Sequence, residues 1–448
     1  MSGPIQQLRA SMVWAAVIVA AAAASQGAPD AATAWAEAVR SASIDPATAA
    51  RVERLIGGAA ARVTTRTVNG QPAGELVTIA RPESAPLLID AATTSLDRLA
   101  AWLGPLPGNR FTIVDVPARA DLAGAAYPGV AITSSRWLTT RREFAAERAL
   151  TVAIARQYAL PFAAADHGSS WFAEGMAAYF ATRAIHESFE GRYYQTLRYF
   201  GGYVPHSLRA IVMSPNPLDA RPRVTELAEV FEPRDAPWRL AHGADLDRAR
   251  RLSMALHTLE RFVGWPALQA ALRSFVEQNH GRTPALADFV AVLSEQRGSD
   301  MTWFFDQAMR LDARFDYALV NLATAPAQPG GWHTTVEVRR IGEATFDGTA
   351  LPRSAATARS LPVLTRFADG SEATEWIDGR DREWRFEYTS SSAATLASVD
   401  PAALLLLDAD RGNNTRTVDP PLHKLGIRLA FNWISWLQDA MLACTAVL

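Results

Sequence analysis

The residues that bear most directly on chemistry fall in two stretches, Val152-Ala153-Ile154-Ala155-Arg156-Gln157-Tyr158 and Trp171-Phe172-Ala173-Glu174-Gly175-Met176-Ala177-Ala178-Tyr179-Phe180. Glu174 is a carboxylate set among apolar and aromatic residues. Such a group can ligate a metal, exchange a proton, or sit as a structural charge near a helix start, where the helix dipole favours it. Asp166 and His167 lie shortly before it and could in principle add two ligands. Three ligands clustered on one segment rarely close a zinc sphere, however. The remaining histidines are scattered, and no two stand at the i, i+4 spacing that places both imidazoles on one helix face. Trp171, Phe172, Tyr179 and Phe180 read as the core side of a helix buried on one face.

The elements that must position these residues are legible in the pattern. Glu143 to Tyr158 carries Phe144, Ala145, Leu150, Ile154 and Ala155 at helical spacing, with Pro161 as the stop. A second helix is expected from about Ser170 to Ile185, with Ser169 or Ser170 as N-cap. Upstream, two short helices flank Asp45-Pro46, Asn69-Gly70 marks a hairpin, and Glu75 to Ile79 alternates as a strand. A helix from Leu87 to Leu103 stops at Gly104-Pro105, and Phe111 to Val116 reads as a buried strand leading to a loop at Tyr127-Pro128-Gly129. Further helices are predicted over Leu246–Phe262, Pro266–Gln278, Thr283–Ser294 and Met301–Met309, after an irregular, proline-rich segment from Gly201 to His242. Beyond Pro326 the period changes to two: Thr335–Val338, Leu361–Phe367, Glu375–Ile377 and Trp384–Tyr388, with Asp369-Gly370 as a turn. The expected class is α+β, a mainly helical domain followed by a small antiparallel β-sandwich and a C-terminal amphipathic helix.

The 448 residues are too many for one ordinary core. With 49% apolar and 20% charged residues and a formal net charge of -2, the chain is globular and has no electrostatic pull on nucleic acid. Lys424 is the only lysine, and the arginine and alanine bias points to GC-rich bacterial coding. Cys444 is the only cysteine, so no internal disulfide is expected. Arg9 followed by the apolar stretch Met12 to Ala24 and small residues at Ala23, Ala24 and Ser25 has the order of a signal peptide or an uncleaved N-terminal anchor. Export to the periplasm or cell envelope is the expectation. At the other end, Arg428, Asn432, Ser435 and Asp439 form a narrow polar stripe, while Leu425, Leu429, Phe431, Trp433, Ile434, Trp436, Leu437, Met441 and Leu442 make the rest apolar. Residues 424–448 are therefore expected to meet a membrane surface or a membrane-protein partner, with packing on their own domain as the alternative.

The segment Gly124-Ala125-Ala126-Tyr127-Pro128-Gly129, the stretch Val152 to Tyr158 and the stretch Trp171 to Phe180 together resemble the membrane alanyl aminopeptidases, gluzincins with a thermolysin-like catalytic domain. The resemblance runs from about residue 74 to residue 310, and more loosely through Val399-Asp400-Pro401 and Leu405-Leu406-Leu407-Asp408. It implies a division into a signal peptide or anchor (1–28), a short N-terminal remnant (29–85), a zincin-like domain (86–325), a β-sandwich (326–414) and a tail (415–448). It also implies where a zinc site would stand. Val152 falls at the first histidine of the family's H-E-x-x-H helix, Ala153 at the general base and Arg156 at the second histidine. Glu174 falls at the third ligand, and Ala126 at the loop glutamate that grips a substrate's amino group. The gap from Arg156 to Glu174 is one residue shorter than the family's. Ala249-Arg250-Arg251-Leu252, the nearest match to the segment bearing the family's transition-state tyrosine, has no tyrosine. Val152 has no lone pair, Ala153 takes no proton, and a guanidinium repels a dication. No catalytic residue, metal ligand set or cofactor is expected.

Two consequences follow from that resemblance. Arg156 and Glu174 occupy two ligand positions, so the guanidinium is expected to stand in for the lost cation and pair with the carboxylate, unless both reach solvent in an open cleft. The function expected is that of a pseudopeptidase holding a peptide or protein in the former active-site cleft, with Gly124, Tyr127 and Trp171 as lining residues, as an extracytoplasmic part of a membrane-associated assembly. An active aminopeptidase with an atypical site and a purely structural subunit are the alternatives.

Overall fold

The computed structural model describes residues 30–58, 61–67, 74–106, 110–117, 122, 124–133, 145–162, 170–189, 243–279, 282–310, 313–328, 330–347 and 361–418. The N-terminal stretch, Asp166, His167, the 201–242 segment and the 424–448 tail, on which several of the expectations fall, lie outside the described residues. No described helix is long and apolar enough to cross a membrane.

The first helices, α1 (Ala31–Ala42) and α2 (Pro46–Gly58), start where side chains satisfy their open N–H groups. Asp30 accepts from Thr33 N at 2.7 Å, and Asp45 accepts from Thr48 N at 2.9 Å, with Pro46 pre-set for the first helical position. Trp35, fully buried, ties the two helices by donating from Nε1 to the Ala49 carbonyl at 3.0 Å. Strands β1 (Arg62–Thr67) and β2 (Glu75–Ala80) pair antiparallel on either side of the predicted Asn69-Gly70 turn. The helix α3 (Ala85–Leu103), with Pro86 in its first turn and Gly104 at φ 93° as its stop, returns the chain so that β3 (Arg110–Asp115) runs parallel to β2. With β4 (Ala126–Tyr127) and β5 (Val130–Thr133) the sheet order is β1-β2-β3-β5-β4.

Two cores lie on opposite faces of this sheet. One face packs α1 and α2 on Ile79, Val114, Val116, Val130 and Ile132. The other packs α3 and the remaining helices: α4 (Ala145–Ala159), α5 (Ser170–Phe189), α6 (Ala244–Val263), α7 (Trp265–Gln278), α8 (Leu286–Arg297) and α9 (Thr302–Ala308). The expected break at residue 85 therefore divides one sheet: the 29–85 stretch supplies β1 and β2 and covers the sheet's second face.

The β-region begins earlier than the change of period indicates. The strand β6 (Tyr317–Pro326) pairs with β7 (Trp332–Arg340), with a register shift between Leu319 and Asn321, and β10 (Glu383–Ser390) completes that sheet in the order β10-β7-β6. The second sheet, β12-β11-β8-β9, consists of β8 (Leu361–Phe367), β9 (Glu372–Ile377), β11 (Ala394–Val399) and β12 (Thr415–Thr417). The two sheets meet where β11 and β12 lie against β6. Between β11 and β12 the chain crosses back to the helices. Asp400, at φ 48°, accepts from Leu404 N and Leu405 N. Thr258 of α6 accepts from Leu406 N at 3.0 Å, and Arg261 donates to the Ala403 carbonyl at 2.7 Å. The α6 helix thus carries the helical core on one side and the β-region on another. The fold is α+β, as expected from the pattern.

Candidate functional site

The helix α4 is buried on every side from Thr151 to Ala159. A helix placed so deeply must find a partner for each polar side chain, because an unmade hydrogen bond in the interior costs about 1–3 kcal/mol. Each polar side chain of α4's last two turns has one. Thr151 and Ser95 of α3 share a hydrogen bond at 2.8 Å between hydroxyls. Tyr158 donates to the Gly104 carbonyl at 2.9 Å, and burial pushes its phenol well above the usual value. Gln157 accepts from Gly129 N at 2.9 Å and donates to the Val130 carbonyl at 3.2 Å.

Arg156 is the charged member of this set. Its Nη2 donates to Glu174 Oε1 at 3.0 Å, and its Nη1 donates to the Gly124 carbonyl at 2.7 Å. The side chains of Arg156 and Glu174 are 2% and 4% exposed, so the ion pair is buried and the open-cleft alternative does not hold. Val152 lies one turn before Arg156 on the same helix face, also buried. The α5 helix is held against α6 immediately behind Glu174. A Cβ on Gly175 would lie 2.8 Å from the Ala249 carbonyl oxygen and 2.8 Å from the Leu252 side chain, so only glycine permits this backbone approach. Ala249 and Leu252 are thus occupied in helix packing, while Arg251 donates to the carbonyls of Ala308 and Ala313.

The other expected site residues divide between the two faces of the sheet. Gly124 joins the Arg156 pair through its carbonyl. Ala126 is half-buried and packs with the main helical core. Tyr127, expected beside it in a cleft, faces the other way and packs with α1 and α2. Successive residues of a strand point to opposite faces, so Ala126 and Tyr127 cannot both line one site. Trp171, at the start of α5, is half-buried, edge-on to Phe172 at 6.0 Å, and lies under the Arg248 guanidinium at 4.7 Å. It belongs to the α5–α6 contact.

The donor set does not fit a zinc ion. Beside one carboxylate stand an alkyl chain at 152, a methyl group at 153 and a guanidinium at 156, and a four-ligand sphere cannot be built from these. Among the described residues, no group of three or more His, Cys, Asp or Glu could hold a metal ion.

A second polar cluster, reaching from the buried Tyr179 to the surface, lies further along α5. Tyr179 donates to Glu260 Oε2 at 2.7 Å, Arg183 bonds Glu260 and also Glu187 at 2.7 Å, and Arg98 reaches Glu187 at 3.3 Å. The Arg183 guanidinium lies 3.4 Å from the Trp265 ring centroid and 5.0 Å from that of Trp102. Burial, and then the Glu260 charge, raise the Tyr179 phenol well above its usual value. This cluster ties α3, α5, α6 and α7 together. The spacing Tyr179, Arg183, Glu187 at i, i+4, i+8 is the sequence signal that marks it.

No family model and no curated protein matches the chain. Among solved structures it is similar to aminopeptidase A of Legionella pneumophila in complex with aspartic acid, at 13% identity and a TM-score of 0.44, over 76% of this chain and 37% of that one. It is also similar to an M1 zinc metallopeptidase from Deinococcus radiodurans, at 18% identity and a TM-score of 0.34, over 56% of this chain and 51% of that one. The chain therefore spans between about a third and a half of the length of these proteins. Similarities of this size assign neither fold nor activity, so the chemistry of the site residues has to carry any functional conclusion.

Proposed function

We propose that this chain is a pseudopeptidase: a non-hydrolysing relative of the membrane alanyl aminopeptidases, with a thermolysin-like helical domain, that binds a peptide or protein segment in an extracytoplasmic assembly. One observation carries the loss of activity. The position that corresponds to a metal-binding histidine is Arg156, whose guanidinium lies 3.0 Å from Glu174 and is buried with it. A fixed positive charge there excludes a dication by repulsion and by volume, and Ala153 leaves no general base to activate water. Hydrolysis of aminoacyl p-nitroanilides by purified protein is the test. The proposal expects no turnover above background with or without added zinc, and chelator-sensitive turnover would overturn it.

Burial of Arg156 and Glu174 also favours a second reading, in which the chain is a structural subunit and nothing enters between α4 and α5. Peptide arrays probed with the purified protein separate the two. Binding above background supports a peptide-binding role, and none supports the structural one. Attachment of the assembly to a membrane is assigned to residues 424–448, whose apolar face is too wide to stay in water. Deleting residues 422–448 is expected to release the protein from the membrane fraction, and unchanged fractionation would count against this part.

A further inference from the structure

From the open side of the β-region we infer a docking edge: the seam between β9 and β10 takes an extended basic segment of a partner protein, which pairs with the free edge of β9 and sets an arginine or lysine between Glu375 and the aromatic row of β10. The inference goes beyond the pseudopeptidase reading, since it concerns a different part of the molecule.

The two sheets cover each other unevenly. On the central strand β7 the inward residues Thr334, Val336 and Val338 are at most 1% exposed. Their cross-strand partners on β10, Tyr388, Phe386 and Trp384, share that inner face but are only half-buried. The strands β10 and β9 are each the last of their sheet, and Tyr388 lies 5.9 Å from Phe367 of β8, so two free edges stand on the same side. On β9, Glu375 is paired with Val363, which is fully buried between the sheets, so Glu375 points to the inner side as well. It is nevertheless exposed, because among the described residues no strand lies beyond β9. Its charge reaches the Tyr388 phenol, and among the described residues no cation pairs with it. The phenol lies near the buried Thr365 hydroxyl, and neither oxygen makes a hydrogen bond of good geometry. Aromatic faces, a carboxylate without a counter-ion and two hydroxyls short of partners form a setting for a cation rich in N–H groups.

The charge also selects the occupant. An inward-pointing charge on an edge strand ordinarily blocks strand addition, and Glu375 does so against a segment that is apolar or acidic opposite it. Against a segment with a cation at that point, the same carboxylate attracts. A second copy of this chain would bring a second Glu375 to the seam, so self-pairing sets like charges together. An extended basic segment meets both demands, with backbone hydrogen bonds along β9 and a cation–π contact over β10.

Fluorescence anisotropy with the full chain tests this. The probe is a labelled short peptide that alternates valine and threonine around a central arginine. One control replaces the arginine by citrulline, which keeps the shape without the charge, and another carries N-methyl groups on alternate backbone nitrogens. The arginine peptide is expected to bind about tenfold more tightly than the citrulline peptide, and N-methylation is expected to abolish binding. Glu375→Gln, at an exposed position, is expected to keep the wild-type melting temperature and to lose the preference for arginine. Glu375→Arg is expected to reverse it in favour of a glutamate-centred peptide. No binding of the arginine peptide, equal affinity for arginine and citrulline, or binding indifferent to N-methylation or to Glu375→Gln overturns the docking edge. Binding that survives Glu375→Gln belongs to another surface, such as the helical domain, so it ends this inference while leaving the peptide-binding reading intact.

Discussion

Two regions of this molecule bury carboxylates and satisfy them in opposite ways. Glu174, between α4 and α5, faces a guanidinium. Asp400, where the β-region meets α6, is held chiefly by backbone: it accepts from Leu404 N and Leu405 N, with Arg411 and Arg261 acting at longer range. Asp408, nearby, accepts from Asn414 and from Asp410 N and feels the negative charge of Asp316. Burial dominates for both aspartates and pushes each carboxyl from 3.8 up to about 6. Hydrogen bonds alone leave a buried anion under-compensated, whereas a guanidinium in direct contact meets it with full charge. The second region is therefore sensitive to pH in the range where its aspartates titrate.

The largest expected effect breaks the first region. Glu174→Ala leaves Arg156 buried without its carboxylate and should lower stability by about 3–5 kcal/mol in urea denaturation. A melt indistinguishable from wild type would remove the compensation argument. The second effect belongs to the junction. Because the folded-state pKa values of Asp400 and Asp408 lie above their ordinary value, their contribution to stability is fully present below pH 3.8 and is lost as pH rises through about 6. A displacement from 3.8 to about 6 is worth on the order of 3 kcal/mol for each group. Unfolding measured from pH 4 to 7 should show this fall relative to Asp400→Asn/Asp408→Asn, whose curve should be flatter, and parallel curves would contradict the assignment. The smallest effect sharpens the comparison at Gly175. A methyl group there must push against the Ala249 carbonyl, so Gly175→Ala should cost about 1–3 kcal/mol and loosen Glu174 with it.

What the sequence disclosed follows from which interactions are local. The helix break at Asp45-Pro46, the Gly104 stop and the period-two strands after Pro326 depend on neighbours within a few residues and are legible. The Arg156–Glu174 pair was legible too, but only through the family resemblance, because 18 residues separate the partners. Three features were not. The strand β6 has no clean alternation, since Tyr317, Ala318 and Leu319 are all buried. The cover of the sheet's second face by α1 and α2, which draws Tyr127 away from Ala126, depends on packing across distant segments. Gln157, an ordinary polar residue in sequence, acquires its role only when the β4–β5 hairpin comes within its reach.

The claim that a guanidinium, and not a dication, holds the centre of this fold can be tested on unmodified protein. Elemental analysis of the full chain purified without chelator, followed by melting with and without 1,10-phenanthroline, reads it directly. The account predicts no stoichiometric transition metal and the same melting temperature in both conditions. About one zinc per chain, with a melt that drops on chelation, would contradict it.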